Sequence, residues 1–101
     1  MTEFTENVLE IIKAIPSGKV MTYGGIALEA GNLRGARQVS RILHSMSMGH
    51  NLPWHRIINS KGQISLTGEG LALQKMLLEE EGVQVYDGNK VDLKTYEYKY
   101  E

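Results

Sequence analysis

The sequence contains no cysteine, and this absence excludes several kinds of chemistry. A chain without thiols forms no disulfide bonds, builds no cysteine-ligated metal site and offers no thiol nucleophile. The histidines His44, His50 and His55 remain as candidate metal ligands. Their spacing does not place two of them on one turn of a helix, so we expect no zinc site and no cofactor.

Long apolar runs and a marked net charge are absent as well. No segment is apolar over the length that spans a bilayer. The first residues, MTEFTENVLE, are acidic where a secretory signal would be basic. We therefore expect a cytoplasmic protein without membrane contact. The formal net charge is −1 and the pI is about 6.3, so any binding of nucleic acid must depend on local charge placement.

The length of 101 residues allows one domain with a modest core. No repeat, linker or low-complexity segment divides the chain, so a single domain over residues 1–101 is expected. No zipper or other dimer surface is evident in the sequence, and we expect a monomer.

The spacing of apolar residues predicts a mainly α-helical chain with small β elements. Predicted helices cover residues 3–15, 23–30, 34–46 and 70–81. Thr22 is suited to cap the second of these helices, and Gly31 is suited to end it.

Short extended segments are predicted after the third helix. They cover residues 54–58 and 63–66, on either side of a turn, and a hairpin is predicted over residues 83–93. In the helix over 70–81, Leu73, Met76, Leu77 and Leu78 are expected to face the core.

The second and third predicted helices form a helix-turn-helix pattern with a basic outer face. The third helix has an apolar stripe that includes Val39 and Ile42, and its opposite face carries Arg34, Arg37, Arg41 and His44. No acidic residue lies between positions 34 and 51, so these arginines have no intrahelical partners. A solvated surface is the alternative interpretation, but such a face suits phosphate contacts and entry into a DNA groove.

Tyr23 begins the second predicted helix beside Gly24 and Gly25. Each glycine costs about 1 kcal/mol in a helix interior, which indicates that another helix or a phosphate approaches closely. Tyr23 is either a core aromatic residue or a hydroxyl that adds to anion binding at the helix N-terminus.

The stretch LPWHRIINSKG places the only tryptophan, Trp54, directly before His55. Three glutamates end the last predicted helix, where the helix dipole disfavours negative charge. One of them, with Glu81 as the candidate, would be less costly if it accepted a hydrogen bond from His55. An imidazole–carboxylate pair ordinarily activates a nucleophile, but Trp54 cannot act as one.

Four ordered stretches resemble the DNA-binding domain of the O6-alkylguanine-DNA alkyltransferases. They are KVMTYGGIALEAG, RGARQV, LPWHRIINSKGQISLTG and LLEEEGV. Those repair enzymes carry Pro-Cys-His-Arg where this chain has Pro53-Trp54-His55-Arg56, and a tryptophan at that position marks the alkyltransferase-like proteins. The resemblance implies a winged-helix-like helix-turn-helix domain that binds DNA through the minor groove.

The resemblance also implies roles for individual residues. Arg37 matches the arginine that fills the place of a flipped base, and Tyr23 matches the tyrosine that helps to turn the nucleotide out. His55 and Glu81 match the relay that activates the cysteine and would remain here as scaffolding. The expected contacts with the DNA backbone are made by Thr22, Arg34, Gln38 and Arg41.

The lesion pocket is expected to be lined by Trp54 and Ile57, with the loop over residues 66–70, including Gly68, as its lid. Two departures from the family pattern affect this region. Thr67 stands where the active enzymes often have a tyrosine, and Met46 stands where they have an asparagine in a hinge.

Flipping a base costs a few kcal/mol, and less where pairing is already damaged. Contact with an aromatic ring returns about 1–3 kcal/mol per base, so Trp54 is expected to hold an alkylated base without reacting with it. The expected function is a non-enzymatic sensor of O6-alkylguanine in double-stranded DNA that flags the lesion for nucleotide excision repair proteins. The alternatives are a helix-turn-helix regulator that reads a defined sequence, and a residual alkyl transferase that uses another acceptor.

Overall fold

All 101 residues are described by a computed structural model. Helix α1 spans Glu3–Ala14 and agrees with the sequence prediction. It begins where the Thr2 side chain accepts a hydrogen bond from the backbone N–H of Thr5, at 3.1 Å. Its inner face buries Val8, Leu9, Ile11 and Ile12.

Helix α2 spans Tyr23–Ala30 and also agrees with the prediction. Thr22 Oγ1 caps it by accepting a hydrogen bond from the N–H of Gly25 at 2.9 Å. Gly31 ends it in the left-handed region, with φ of 105°. The turn that follows brings Gly35 against α1 so closely that a Cβ there would lie 2.8 Å from Phe4.

Helix α3 spans Ala36–His50, so both of its predicted ends are wrong. Arg34 lies before the helix, in a turn that its N–H closes on Asn32 Oδ1 at 3.1 Å. At the other end, Asn51 adopts the left-handed conformation, and the N–H of Leu52 donates to Ser47 at 3.0 Å. This cap extends α3 past Met46, and apolar periodicity does not reveal it.

The sheet consists of β1 (Met21–Thr22) and β2 (Ile57–Ile58), which pair in parallel. The predicted extended segment over 54–58 is therefore correct only for its last two residues. Trp54–Arg56 forms a single 3₁₀ turn instead. The predicted strand over 63–66 is also wrong: the side chain of Asn59 closes a local turn, and only Gln63 forms an isolated bridge.

Helix α4 spans Gly68–Glu80, and the prediction of its inward face is correct for Leu78 but not for Leu73 and Met76. Gln74 and Leu78 are its buried residues, whereas Leu73 and Met76 are 43% and 49% exposed. The helix packs against the backbone of the Trp54–Arg56 turn through hydrogen bonds from Gln74. The buried side therefore carries the polar Gln74 among apolar residues, whereas the exposed Leu73 and Met76 lie away from it.

The C-terminal segment packs back onto β1. The predicted hairpin is reduced to one antiparallel bridge between Tyr86 and Lys90, and a short helix α5 (Leu93–Tyr96) follows. The N–H of Tyr98 then donates to the carbonyl of Val20 at 2.8 Å. No helix in the fold combines the length and the apolar character that a bilayer crossing requires.

Two hydrophobic clusters meet at the small sheet. Met21 and Ile57 belong to the larger cluster, which joins α1, α2 and α3, and Val20 and Ile58 belong to the smaller one beneath α4 and the C-terminal segment. Alternate strand residues point to opposite faces, so the sheet fixes the direction of Ile57 and of the turn before it. Trp54 packs half-buried against the larger cluster.

Candidate base pocket and DNA-binding surface

A cavity of about 340 Å³ opens between α3, the Trp54–Arg56 turn and α4. Apolar side chains predominate in it, with a few polar groups among them, as in many small-molecule sites. Its lining residues are Tyr23, Ser40, Leu43, His44, Ser47, Met48, Trp54, Ile57, Leu66 and Gln74. We call this cavity the base pocket. The structure thus brings the sequence candidates Tyr23, Trp54 and Ile57 together around one space.

The length of α3 accounts for lining residues that the sequence did not single out. Ser47 and Met48 border the base pocket only because α3 continues past its predicted end. From the predicted lid, Leu66 reaches the pocket. Gly68 does not line it, and instead begins α4 as an exposed residue with φ of 59°.

A second concave surface of about 330 Å³ lies on the other side of Tyr23. Tyr23 and Ser40 border both spaces, and Arg37 lines only the second one. The Arg37 side chain is exposed and forms no hydrogen bond or ion pair with the protein. Tyr23 therefore stands between the base pocket and an unpaired guanidinium.

Gly24 lines this second surface and has open space around it. A Cβ at Gly24 would meet nothing within 4 Å, so the close approach of another helix that the sequence suggested is wrong. A Cβ at Gly25 would lie 3.0 Å from Thr22 Oγ1, within the helix cap. Gly25 is explained by the cap, and Gly24 remains free to be approached by a ligand.

Tyr23 presents a neutral phenol at this boundary. Burial raises the pKa of Tyr23 above its usual value of 10.0, and the nearby Ser65 side chain partly offsets this effect. Burial is the larger of the two effects, so the phenol stays protonated at neutral pH. A protonated hydroxyl is a donor that suits a phosphate oxygen.

Glu81 joins three segments of the chain behind the pocket. Its Oε2 lies 2.7 Å from His55 Nε2 and 2.7 Å from Arg56 Nη2, and its Oε1 accepts a hydrogen bond from the N–H of Gly18 at 3.1 Å. The predicted contact between His55 and Glu81 is therefore present. Arg56 was missed, and its Nη1 also donates to the carbonyl of Ile15 at 2.8 Å.

The groups around Glu81 favour its ionised form. Burial alone would raise the pKa of Glu81, but hydrogen bonds from Arg56, His55 and the Gly18 backbone outweigh it and lower the pKa to about 2. The carboxylate is thus ionised at neutral pH and binds the two residues that follow Trp54, His55 and Arg56. The Trp54 and His55 rings meet edge to face, with centroids 6.1 Å apart.

Gln74, seven residues before Glu81 at the end of the same helix, holds the backbone of the Trp54–Arg56 turn. It is only 2% exposed, and its Nε2 donates to the carbonyls of His55 and Ile57, each at 3.0 Å. A polar residue on an otherwise apolar helix face was the one signal in the sequence that marked it.

The remaining candidates for DNA-backbone contacts are dispersed. Arg34 and Arg41 are exposed, and their side chains have no partner in the protein. Gln38 is exposed but lines a different concavity, together with Glu3 of α1. Thr22 is 7% exposed and its side chain caps α2, which leaves little of it for a phosphate.

Comparison with known proteins defines the class to which this fold and pocket belong. The family model for the DNA binding domain of 6-O-methylguanine DNA methyltransferase matches residues 3–83. The chain therefore belongs to this family, as its resemblance implied. A methylated-DNA–protein-cysteine methyltransferase of Methanosarcina acetivorans is 35% identical, and the match covers 80% of this chain but only 52% of that protein.

More similar relatives match over almost the whole chain. A DNA base-flipping protein of Escherichia coli is 45% identical over 97 residues, which cover 96% of this chain and 75% of that protein. Alkyltransferase-like protein 1 of Schizosaccharomyces pombe is 41% identical, with 98% and 97% covered.

The fold agrees with a solved structure of S. pombe Atl1 in complex with damaged DNA that contains O6-carboxymethylguanine. The TM-score is 0.86 at 40% identity, and the match covers 99% of this chain and 98% of Atl1. The mainly helical, winged-helix-like architecture expected from the sequence is thus confirmed as that of an alkyltransferase-like DNA-binding domain.

Proposed function

We propose that this protein is a non-enzymatic sensor of alkylated DNA. It binds double-stranded DNA that contains O6-alkylguanine, turns the damaged base out of the helix and holds it in the base pocket without removing the alkyl group. The proposal is supported by the names of its relatives, a base-flipping protein and an alkyltransferase-like protein. It is also supported by the Atl1 complex with damaged DNA.

The observation that carries the proposal is the arrangement of three side chains. Trp54 lines the cavity of about 340 Å³, Tyr23 forms its boundary, and the unpaired Arg37 lies beyond Tyr23. In the proposed complex α3 enters the minor groove. Arg37 then takes the place of the extruded base, while the Tyr23 hydroxyl contacts the phosphate of the turned nucleotide.

The energetics favour a damaged base. Extrusion costs a few kcal/mol for a paired base and less for one that pairs poorly. Contact with an aromatic ring returns about 1–3 kcal/mol to either base. The lower cost of extruding the alkylated guanine therefore sets the preference, and the contact with Trp54 supplies the affinity. The exposed cations Arg34 and Arg41 supply affinity that is independent of sequence.

Alkyl transfer is not part of the proposed function. The chain has no cysteine, and the residue between Pro53 and His55 is Trp54, whose indole is not a nucleophile. The carboxylate that would orient His55 for catalysis also pairs with Arg56. In this proposal the cluster holds the Trp54 turn in place.

In this proposal other proteins repair the lesion. A sensor that does not repair must mark the site, and we propose that the bound and distorted duplex is passed to nucleotide excision repair proteins in the cytoplasm. The protein acts in this scheme as a monomer.

The test uses the single tryptophan as a probe. Two duplexes of identical sequence, one with O6-methylguanine and one with guanine, are titrated while Trp54 fluorescence is followed, and the DNA is then analysed for loss of the methyl group. We expect tighter binding and larger quenching with the lesion, and no demethylation. Equal affinity for both duplexes would contradict the proposal and favour a sequence-specific helix-turn-helix regulator, and a methyl group on the protein would favour a transferase.

A further inference from the structure

Gln74 has a hydrogen-bond acceptor that the protein leaves unused. Its two amide hydrogens are directed to the carbonyls of His55 and Ile57. Because both partners are acceptors, the nitrogen of the amide must be the atom that faces them, and the assignment of nitrogen and oxygen is settled. No donor in the protein reaches the remaining atom, Oε1.

The position of Gln74 shows where this oxygen is accessible. The residue as a whole is only 2% exposed. Every side-chain oxygen or nitrogen in the fold that is closed off from solvent has a hydrogen-bond partner, and Oε1 has none. Oε1 therefore borders open space, and the open space that Gln74 lines is the base pocket. An accessible amide oxygen in the wall of a pocket accepts hydrogen bonds only, so a base that enters the pocket and displaces solvent must offer it an N–H group or leave it unsatisfied.

The chemistry of alkylated bases restricts the possible donors. In O6-alkylguanine, N1 carries no hydrogen, and the 2-amino group is the only N–H donor of the base. O6-methylhypoxanthine has the same ring and the same methyl ether but lacks this amino group. O4-methylthymine presents acceptors alone.

We propose that Gln74 determines base specificity, with its Oε1 accepting a hydrogen bond from the 2-amino group of the extruded guanine. Gln74 then selects alkylated guanines over alkylated bases that lack this donor. The nitrogen of the same amide binds the backbone of the Trp54 turn. One side chain therefore both positions the turn and recognises the base. This inference rests on the proposed function, because it requires the base to enter the pocket.

The inference is tested by combining a substitution in the protein with a substitution in the base and comparing the affinities. Affinities of the parent and of Gln74→Met are measured by fluorescence anisotropy, with labelled duplexes that carry O6-methylguanine, O6-methylhypoxanthine or guanine. Methionine retains the approximate volume and removes the acceptor together with the N–H donors to His55 and Ile57, so the effect of a loosened turn is tested separately below. We expect the parent to prefer O6-methylguanine over O6-methylhypoxanthine by about tenfold, and Gln74→Met to discriminate between them by less than about twofold.

A second variant distinguishes recognition of the base by Gln74 from its stabilisation of the Trp54 turn. Glu81→Gln weakens the anchoring of the turn through the side chains of His55 and Arg56 and leaves the Gln74 oxygen in place. It should therefore weaken binding to both lesions alike and keep the parent's preference. The inference is overturned if Gln74→Met keeps that preference, or if Glu81→Gln abolishes it equally. Failure of the proposed function would appear differently, as equal affinity of the parent for O6-methylguanine and guanine.

Discussion

Arg56 and Glu81 form a forked ion pair, with Nη2 2.7 Å from Oε2 and Nε 3.0 Å from Oε1. The same guanidinium reaches the carbonyl of Ile15, and the same carboxylate accepts the N–H of Gly18. The pair thus ties the end of α4 to the loop after α1 and to the turn that carries Trp54. A planar fork of this kind sets orientation as well as distance, so Trp54 is presented by a fixed backbone.

Glu81→Gln should destabilise the fold by about 1–3 kcal/mol, since it leaves the partly buried Arg56 without a charged partner. The measurement is the free energy of unfolding from urea titrations. Glu80→Gln is the matched control, because Glu80 is exposed and forms no ion pair, and it should change stability by no more than about 0.5 kcal/mol. Equal effects of the two substitutions would show that the cluster does not stabilise the fold.

Stability should depend on pH through the same carboxylate. The pKa of Glu81 is about 2 in the fold against an ordinary 4.5, so its ionised form is favoured by folding. This contribution is fully present above about pH 4.5 and is lost as the pH falls towards 2. Urea titrations across this range should show a steeper loss for the parent than for Glu81→Gln. Parallel curves would contradict the assignment.

Local signals in the sequence predicted much of the fold. Thr22 and Gly31 mark the ends of α2 because capping depends on neighbouring residues alone. The true end of α3 at His50 depends instead on Asn51 adopting a left-handed conformation, which only a minority of asparagines do. The difference matters for function, because the additional turn of α3 supplies part of the base pocket.

The candidate site was predicted less completely than the fold. Trp54, Tyr23 and Arg37 stood out as residues and by family resemblance, and the structure places them around adjoining spaces. Arg56 and Gln74 were missed because their partners lie 25 and 17–19 residues away, and no periodic pattern encodes such contacts. Contacts of this kind follow only from the packing of α4 against the Trp54 turn.

Arg37 and Arg41 should affect DNA binding in different ways. Arg37→Ala should reduce the preference for the lesion and the quenching of Trp54, because Arg37 adjoins the base pocket across Tyr23. Arg41→Ala, the matched control, should weaken binding to both duplexes equally and lower the slope of log K against log salt by about 0.9. Affinity measured at several salt concentrations checks both. A preference left intact in Arg37→Ala would exclude its role in extrusion.

Substitution of Gly24 should raise the stability of the fold and lower its affinity for DNA. A Cβ at Gly24 has open space, so Gly24→Ala should stabilise the fold by up to about 1 kcal/mol. If a phosphate approaches the start of α2, the same methyl group should weaken binding to any duplex. Gly25→Ala is the contrasting variant, since its Cβ would press on the Thr22 cap and destabilise the helix. Thermal unfolding and anisotropy titrations on both variants separate the two effects, and unchanged DNA affinity in Gly24→Ala would argue against a phosphate there.

Trp54 should contribute to lesion binding through its ring. Trp54→Ala should weaken binding of the O6-methylguanine duplex by about tenfold to a hundredfold, the loss of one base–aromatic contact, and should affect the guanine duplex much less. Trp54→Phe keeps an aromatic face and should retain most of the affinity. Because these variants lack the fluorescent probe, labelled DNA is followed by anisotropy, and urea titrations confirm that each variant is folded. An equal loss for both duplexes would mean that Trp54 serves only to pack against the core, and that the base is held by other residues of the pocket.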